Sequence, residues 1–258
     1  MALTTAADGV AIAYDVTGTG PVLVLLHGIT ESRRAWDPLI AHLAADHTVV
    51  AVDVRGHGES GLAPTYDSQA MAGDVAAVLG AVGASDPLVV GHSMGGIVAT
   101  AFAAEHPCRG VVNVDQSIAL GDLQDLVRGA EPMLRSDAFG DVISALFDSM
   151  HGALPAEEIA RLSALRRPQQ EVVLGVWAPL LDLSRDELDA LVAGMAAGVP
   201  VPYLALHGID PGPDYGAWLA SVIPTATLEV WDGDGHYPHL VEPARFLDRL
   251  RAFESTLA

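Results

Sequence analysis

Lysine is absent from this chain of 258 residues, and all 13 basic side chains are arginine. That excludes Schiff-base chemistry, a phosphate-loop lysine and any catalytic lysine. Cysteine is nearly absent too. A lone Cys108 can neither close an internal disulfide nor build a cysteine-based zinc site. Its place in the segment His106-Pro107-Cys108-Arg109, between a helix and a strand, predicts an inert thiol. The ten histidines show no H-E-x-x-H or other metal-binding spacing, so neither a metal nor a cofactor is expected. Positive charge is scarce against 33 acidic residues, leaving a net charge of −20. Such a surface repels phosphate backbones and anionic bilayers, so neither nucleic acid nor membrane is an expected partner. No stretch approaches the 18 apolar residues of a membrane span. Met1–Gly9 lacks the basic and apolar features of a signal peptide. A soluble cytoplasmic protein is the expectation; the oligomeric state is not encoded legibly.

Half of the residues are hydrophobic and 18% are charged, enough for a sizeable core. The length suits one α/β unit with an insertion. Val10–Val16 alternates as a half-buried strand, and Gly18-Thr19-Gly20-Pro21 reads as a turn. Val22–Leu26, Val49–Val54, Leu88–Val90 and Gly110–Val114 read as buried strands. Helical patterns at Trp36–Ala45, Gln69–Val82 and Met94–Glu105 separate them. Alternation of this kind predicts a mostly parallel central sheet with helices on both faces.

From Ser117 to Val199 no strand is visible. Asp122–Leu134, Ala138–Met150, Ala156–Leu165, Gln169–Leu181 and Arg185–Ala196 all read as helices. The stretch is too long for a crossover, which predicts a helical cap over 117–199 inserted into a core of 1–116 and 200–258. The core pattern resumes with strands at Tyr203–His207 and Thr227–Trp231 and helices at Tyr215–Val222 and Pro243–Phe253.

The segment Gly91-His92-Ser93-Met94-Gly95-Gly96 carries the sharpest chemistry. It fits G-x-S-x-G between a strand and a helix. A tight turn there strains its central residue and tolerates only small residues two before and two after it. Ser93 is lifted to a helix N-terminus, where backbone amides favour developing negative charge. A hydroxyl needs a base, and His236, between the last strand and the last helix, has the right place in chain order. His239, three residues on, reads as a surface or cap residue. His27-Gly28-Ile29 follows the buried strand Val22–Leu26. Its loop is placed to supply an oxyanion donor, the main-chain N–H of Ile29, beside that of Met94. His27 reads as an organiser of that loop.

Taken together, His27-Gly28, Asp53-Val54-Arg55-Gly56-His57-Gly58-Glu59-Ser60, Gly91–Gly96 and Gly235-His236 resemble the α/β-hydrolase superfamily over nearly the whole chain. The resemblance implies the α/β-hydrolase fold and a serine nucleophile, and says little about substrate. It implies a structural role for Asp53–Ser60, with Arg55 tied to carboxylates or carbonyls. It offers two places for an acid to partner His236. Asp210, in Gly208-Ile209-Asp210, stands after the penultimate strand but one residue closer to the glycine than the common pattern. Asp115 stands after the strand that follows the elbow helix, as in the haloalkane dehalogenase and zearalenone-type lactonase branches. Asp214 is a weaker choice. A cap tryptophan in the lactonase branch resembles Trp177, beside the helix-breaking Pro179. Trp177, Leu180 and Gly28 are therefore the expected substrate contacts, while Trp36 reads as packing. The serine nucleophile argues against the dehalogenase and epoxide-hydrolase branches, whose elbow carries an aspartate.

The function expected is cofactor-independent hydrolysis of a carboxylic ester or lactone, of small or medium size and apolar, through an acyl-enzyme at Ser93, with His236 as general base. The alternatives are hydrolysis of a C–C bond by the same residues, or a ligand-binding receptor with slow or vestigial turnover.

Overall fold

The computed structural model describes residues 1–257. Eight strands form one sheet in the order β1-β2-β4-β3-β5-β6-β7-β8. These are β1 (Ala2–Thr5), β2 (Ala11–Thr17), β3 (Val22–Leu26), β4 (Thr48–Val52), β5 (Leu88–His92), β6 (Gly110–Val114), β7 (Tyr203–His207) and β8 (Ala226–Val230). The pairs β1–β2 and β2–β4 are antiparallel; every pair from β4 through β3 to β8 is parallel. β1 has no counterpart in the expected elements. Its four residues are largely exposed at the sheet edge, so no buried face marks them in the sequence.

The continuous apolar runs arise because both faces of the parallel strands are covered. Val24, Leu26, Val50, Val52 and Val89 face one core layer with Val75, Val98 and Phe102. Their neighbours Leu23, Leu25, Val49, Ala51 and Val90 face the other layer with Leu39, Phe246 and Leu250. The first layer packs under α2 (Ser68–Val82) and α3 (Met94–Glu105). The second packs under α1 (Asp37–Leu43) and the terminal helix, Pro243–Glu254.

Six helices lie between β6 and β7: α4 (Gly121–Leu134), α5 (Phe139–Ser149), α6 (Ala156–Leu165), α7 (Gln170–Val176), α8 (Ala178–Asp182) and α9 (Arg185–Ala197). The single helix expected over Gln169–Leu181 is two. It breaks at Trp177, and Pro179 sits in the first turn of the second piece, where its missing N–H costs no hydrogen bond. Ser184 and Glu187 form a capping box that starts α9. Three more helices complete the chain: α10 (Tyr215–Val222), the short α11 (Pro238–Val241) and α12 (Pro243–Glu254). Among the described residues, no helix is long and apolar enough to cross a membrane.

Candidate active site

The strand register brings the site together. His92 pairs with Val114, and Val114 with Leu206. The residues that follow, Ser93, Asp115 and His207-Gly208, therefore leave the sheet side by side at its carboxyl edge. The Ser93 N–H donates to Val114 O at 2.9 Å, and the Asp115 N–H to Leu206 O at 2.8 Å.

Ser93 has φ 52° and ψ −126°, a left-handed conformation that costs an L-residue energy and persists because its surroundings hold it. The flanking glycines are steric necessities. A Cβ on Gly91 would strike the Gly95 backbone, and one on Gly95 would strike the carbonyls of Leu26 and His27. Ser93 then stands at the start of α3 with Met94 as first helical residue, whose N–H has no intrahelical acceptor. Ser93, Met94 and Ile29 all line one cavity of about 810 Å³.

His236 lines the same cavity. Its Nδ1 lies 2.6 Å from Asp115 Oδ2. The other oxygen of Asp115 accepts the N–H groups of Gly208 at 2.7 Å and Ile209 at 3.0 Å. Burial alone would raise the Asp115 pKa, but the hydrogen bond and charge of His236 and the Ile209 N–H hold it below the ordinary value. Asp115 is therefore an ionised carboxylate with both oxygens engaged, held at φ 53°.

Asp210 does not partner His236. After β7 the chain turns so that the N–H groups of Gly208 and Ile209 point at Asp115, and this carries Asp210 outward to an exposed position at the cavity wall. Its carboxylate closes a local turn by accepting the Gly212 N–H at 2.9 Å. Asp214 stands at the N-cap of α10.

Gly28, expected at the substrate, is not among the residues lining the cavity. Its N–H points at Glu31 Oε2 at 3.3 Å. A Cβ at position 28 would press to 3.2 Å against Glu31, His92 and Ser93. Its glycine thus serves close packing behind Ser93. His27 ties the loop, donating from Nδ1 to Gly28 O at 2.7 Å and accepting the Val54 N–H at Nε2 at 3.0 Å. His239 is buried in α11, its ring 4.7 Å from that of Trp36. The expectation of a surface residue fails because α11 turns inward under the terminal helix. Trp36 packs there and not in the cavity.

Trp177 and Leu180 do line the cavity, with Phe147 and Met150 among their apolar neighbours. The carbonyl of Met150 accepts the His236 N–H at 2.9 Å, which ties the helical segment to the loop of His236. No arginine is among the lining residues, whereas Asp67, Glu105, Asp122 and Asp210 are.

In the Asp53–Ser60 segment, Arg55 grips Asp74 through two bonds of 2.6 Å and Asp8 through one of 2.9 Å. His57 is buried beside His27, and the two effects, burial first, push its pKa down to about 4. Burial pushes the Cys108 thiol up to about 11. Among the described residues, no group of three or more His, Cys, Asp or Glu side chains is placed to hold a metal ion.

Sequence patterns left Glu31, His92 and Tyr237 without a role and read Arg166 as a solvated cap surface or an ion pair, yet the structure joins all four behind Ser93. Glu31 and Tyr237 have no periodic neighbour, and their meeting depends on two loops 206 residues apart.

The sheet, the strained serine and the acid–histidine pair define a hydrolase of the α/β class. Residues 23–249 match the alpha/beta hydrolase family, and the chain belongs to it. The esterase RhEst1 from Rhodococcus sp. ECU1013 is 31% identical, with a TM-score of 0.76 over 100% of this chain and 99% of that one. An esterase from Exiguobacterium antarcticum shares the fold, with a TM-score of 0.83 at 20% identity over 98% of this chain and 99% of that one. Epoxide hydrolase B of Mycobacterium tuberculosis is 43% identical over 106 residues, which are 39% of this chain and 30% of that protein.

Proposed function

We propose that the protein hydrolyses carboxylic esters or lactones through an acyl-enzyme. One observation carries the proposal: Asp115, bound to His236 at 2.6 Å, shares the cavity with a serine in a strained elbow. A carboxylate on Nδ1 keeps the proton there and leaves Nε2 free to accept one.

Ser93 Oγ attacks the substrate carbonyl carbon as its proton passes to His236 Nε2. The N–H groups of Ile29 and Met94 hold the resulting oxyanion. The tetrahedral intermediate collapses, the C–O bond to the alcohol breaks, and His236 returns its proton to the departing oxygen. Water then attacks the acyl-serine with His236 as base, and the acid leaves. In a lactone the alcohol and the acid remain one molecule.

The cavity indicates the kind of acyl group. Its apolar walls, Trp177 and Leu180 among them, suit an uncharged acyl chain or ring, and about 810 Å³ accommodates a drug-sized molecule. With five carboxylates, Asp115 included, and no arginine along the walls, an anionic substrate has no counter-charge there. The similarity to the esterase RhEst1 supports the same bond type.

Proton release at constant pH, measured across p-nitrophenyl esters and lactones of several ring sizes with Ser93→Ala as blank, tests the proposal. Repeated turnover on one group, absent from the blank, is expected. One event per molecule would indicate a receptor. A Ser93→Ala variant that still turned over substrate would remove Ser93 from the mechanism.

A further inference from the structure

A second acid–histidine pair lies behind Ser93, outside the cavity lining. Glu31 and His92 are 2% and 1% exposed. The Glu31 carboxylate accepts the Tyr237 O–H at 2.8 Å on Oε1. Its Oε2 accepts the Gly28 N–H at 3.3 Å and lies 3.6 Å from His92 Nδ1. His92 in turn donates from Nε2 to the main-chain carbonyl of His236 at 2.8 Å, with the two rings 4.7 Å apart. The Tyr237 hydroxyl also accepts from Arg166 Nη2 at 2.7 Å. Arg166 lies 3.9 Å over the ring of Phe147, a cavity residue. One buried carboxylate thus touches the loop that presents the Ile29 N–H and, through one imidazole, the backbone of the base.

Burying a carboxylate is costly unless it is paired and hydrogen-bonded. Here the Tyr237 O–H and the Gly28 N–H bond to it, and although burial works against the charge, His92, Tyr237 and Arg166 together keep Glu31 below the usual carboxylate range. An apolar side chain would fill the space, yet would leave the Gly28 N–H and the Tyr237 O–H without an acceptor. Residue 31 follows Ile29 by two positions and Tyr237 follows His236 directly, so a shift in either contact moves a reacting group.

We propose that Glu31 is a positioning residue for the reaction: its carboxylate fixes the oxyanion loop through Gly28 and the main chain of His236 through His92. The inference rests on the ester-hydrolase reading, in which Ile29 N–H and His236 act on one substrate.

The test is Glu31→Gln, assayed on a p-nitrophenyl ester that the wild type turns over and normalised to active sites titrated with a fluorophosphonate. A glutamine fits the space, but either orientation of its amide turns an NH2 toward Gly28 N–H or toward the Tyr237 hydroxyl. Misplacing donor and base by a fraction of an ångström to an ångström is expected to lower kcat on the order of 100-fold, with KM within about threefold. The companion pair is His92→Leu and His92→Gln. The leucine removes the donor to His236 O and should lose activity like Glu31→Gln. The glutamine, whose amide N–H reaches the same carbonyl, should recover about tenfold or more of that loss.

A Glu31→Gln enzyme with kcat per active site within about threefold of wild type overturns the proposal, as does equal activity in the two His92 variants. If Glu31→Gln does not fold, the His92 pair decides alone. A wild type that neither turns over any ester nor takes the label fails the hydrolase reading itself, a result distinct from either outcome above.

Discussion

Exchanging Asp115 for asparagine removes one charge and almost no volume, and the geometry specifies the consequence. One oxygen of Asp115 accepts two backbone N–H groups, from Gly208 and Ile209, and the other faces His236 Nδ1 at 2.6 Å. In Asp115→Asn the amide oxygen must keep the two backbone donors, because an NH2 cannot accept them. The NH2 therefore faces His236 and donates to Nδ1. His236 is driven into the tautomer with its proton on Nε2, where it cannot take one from Ser93. A tautomer switch of this kind costs about 10⁴ in kcat, or about 5.5 kcal/mol of transition-state stabilisation. Asp210→Asn, by contrast, disturbs a local turn to Gly212 and should change kcat by less than about threefold. Initial rates on one p-nitrophenyl ester, per site titrated with fluorophosphonate, compare the two directly. A loss below about tenfold in Asp115→Asn, or a larger loss in Asp210→Asn, would refute the assignment of the acid.

Two further predictions concern stability. Arg55 is 2% exposed on Asp74, itself 1% exposed, so Arg55→Met leaves a buried carboxylate without its partner. The expected cost is about 3–5 kcal/mol in urea unfolding, and the double variant Arg55→Met, Asp74→Leu should regain much of it; a single-variant loss under about 1 kcal/mol would contradict the pairing. For His47, burial opposes the charge, but Glu254 and then Asp46 outweigh it and raise the pKa above 6.5. Folding therefore favours the protonated ring. Its contribution is fully present below pH 6.5 and is lost as pH rises through the raised folded value. Stability of the wild type should fall more steeply than that of His47→Gln from about pH 6 to about pH 9; parallel curves would show that the ring gains nothing from its two carboxylates.

Much of the frame was legible because it depends on short-range rules. Met94–Glu105, Gly110–Val114, Ala156–Leu165, Tyr203–His207 and Tyr215–Val222 fall where apolar periodicity and flanking turn residues place them. β1 escaped notice because an exposed edge strand has no buried face to imprint a period. The expected helix over Gln169–Leu181 divides at Trp177 because Pro179 is accommodated in the first turn of a new helix and not in the interior of one.

Ser93 and His236, the proposed nucleophile and base, were the candidates most legible in the sequence, since each is bound to local geometry. Gly91 and Gly95 are demanded by the backbone contacts of the turn that holds Ser93, and His236 falls in the loop after the last strand. Asp115 and Asp210 offered no such distinction, because each follows a strand at the same edge of the sheet. The choice lay in the direction of three backbone groups: the left-handed Asp115, and the N–H groups of Gly208 and Ile209 that converge on its carboxylate. Glu31 was equally silent, its partners being Gly28, His92 and, from 206 residues away, Tyr237. Spacing along a chain carries the conformations that neighbours impose on one another. Which acid meets the histidine depends on where two loops lie after the sheet has closed, and only the tertiary structure decided that.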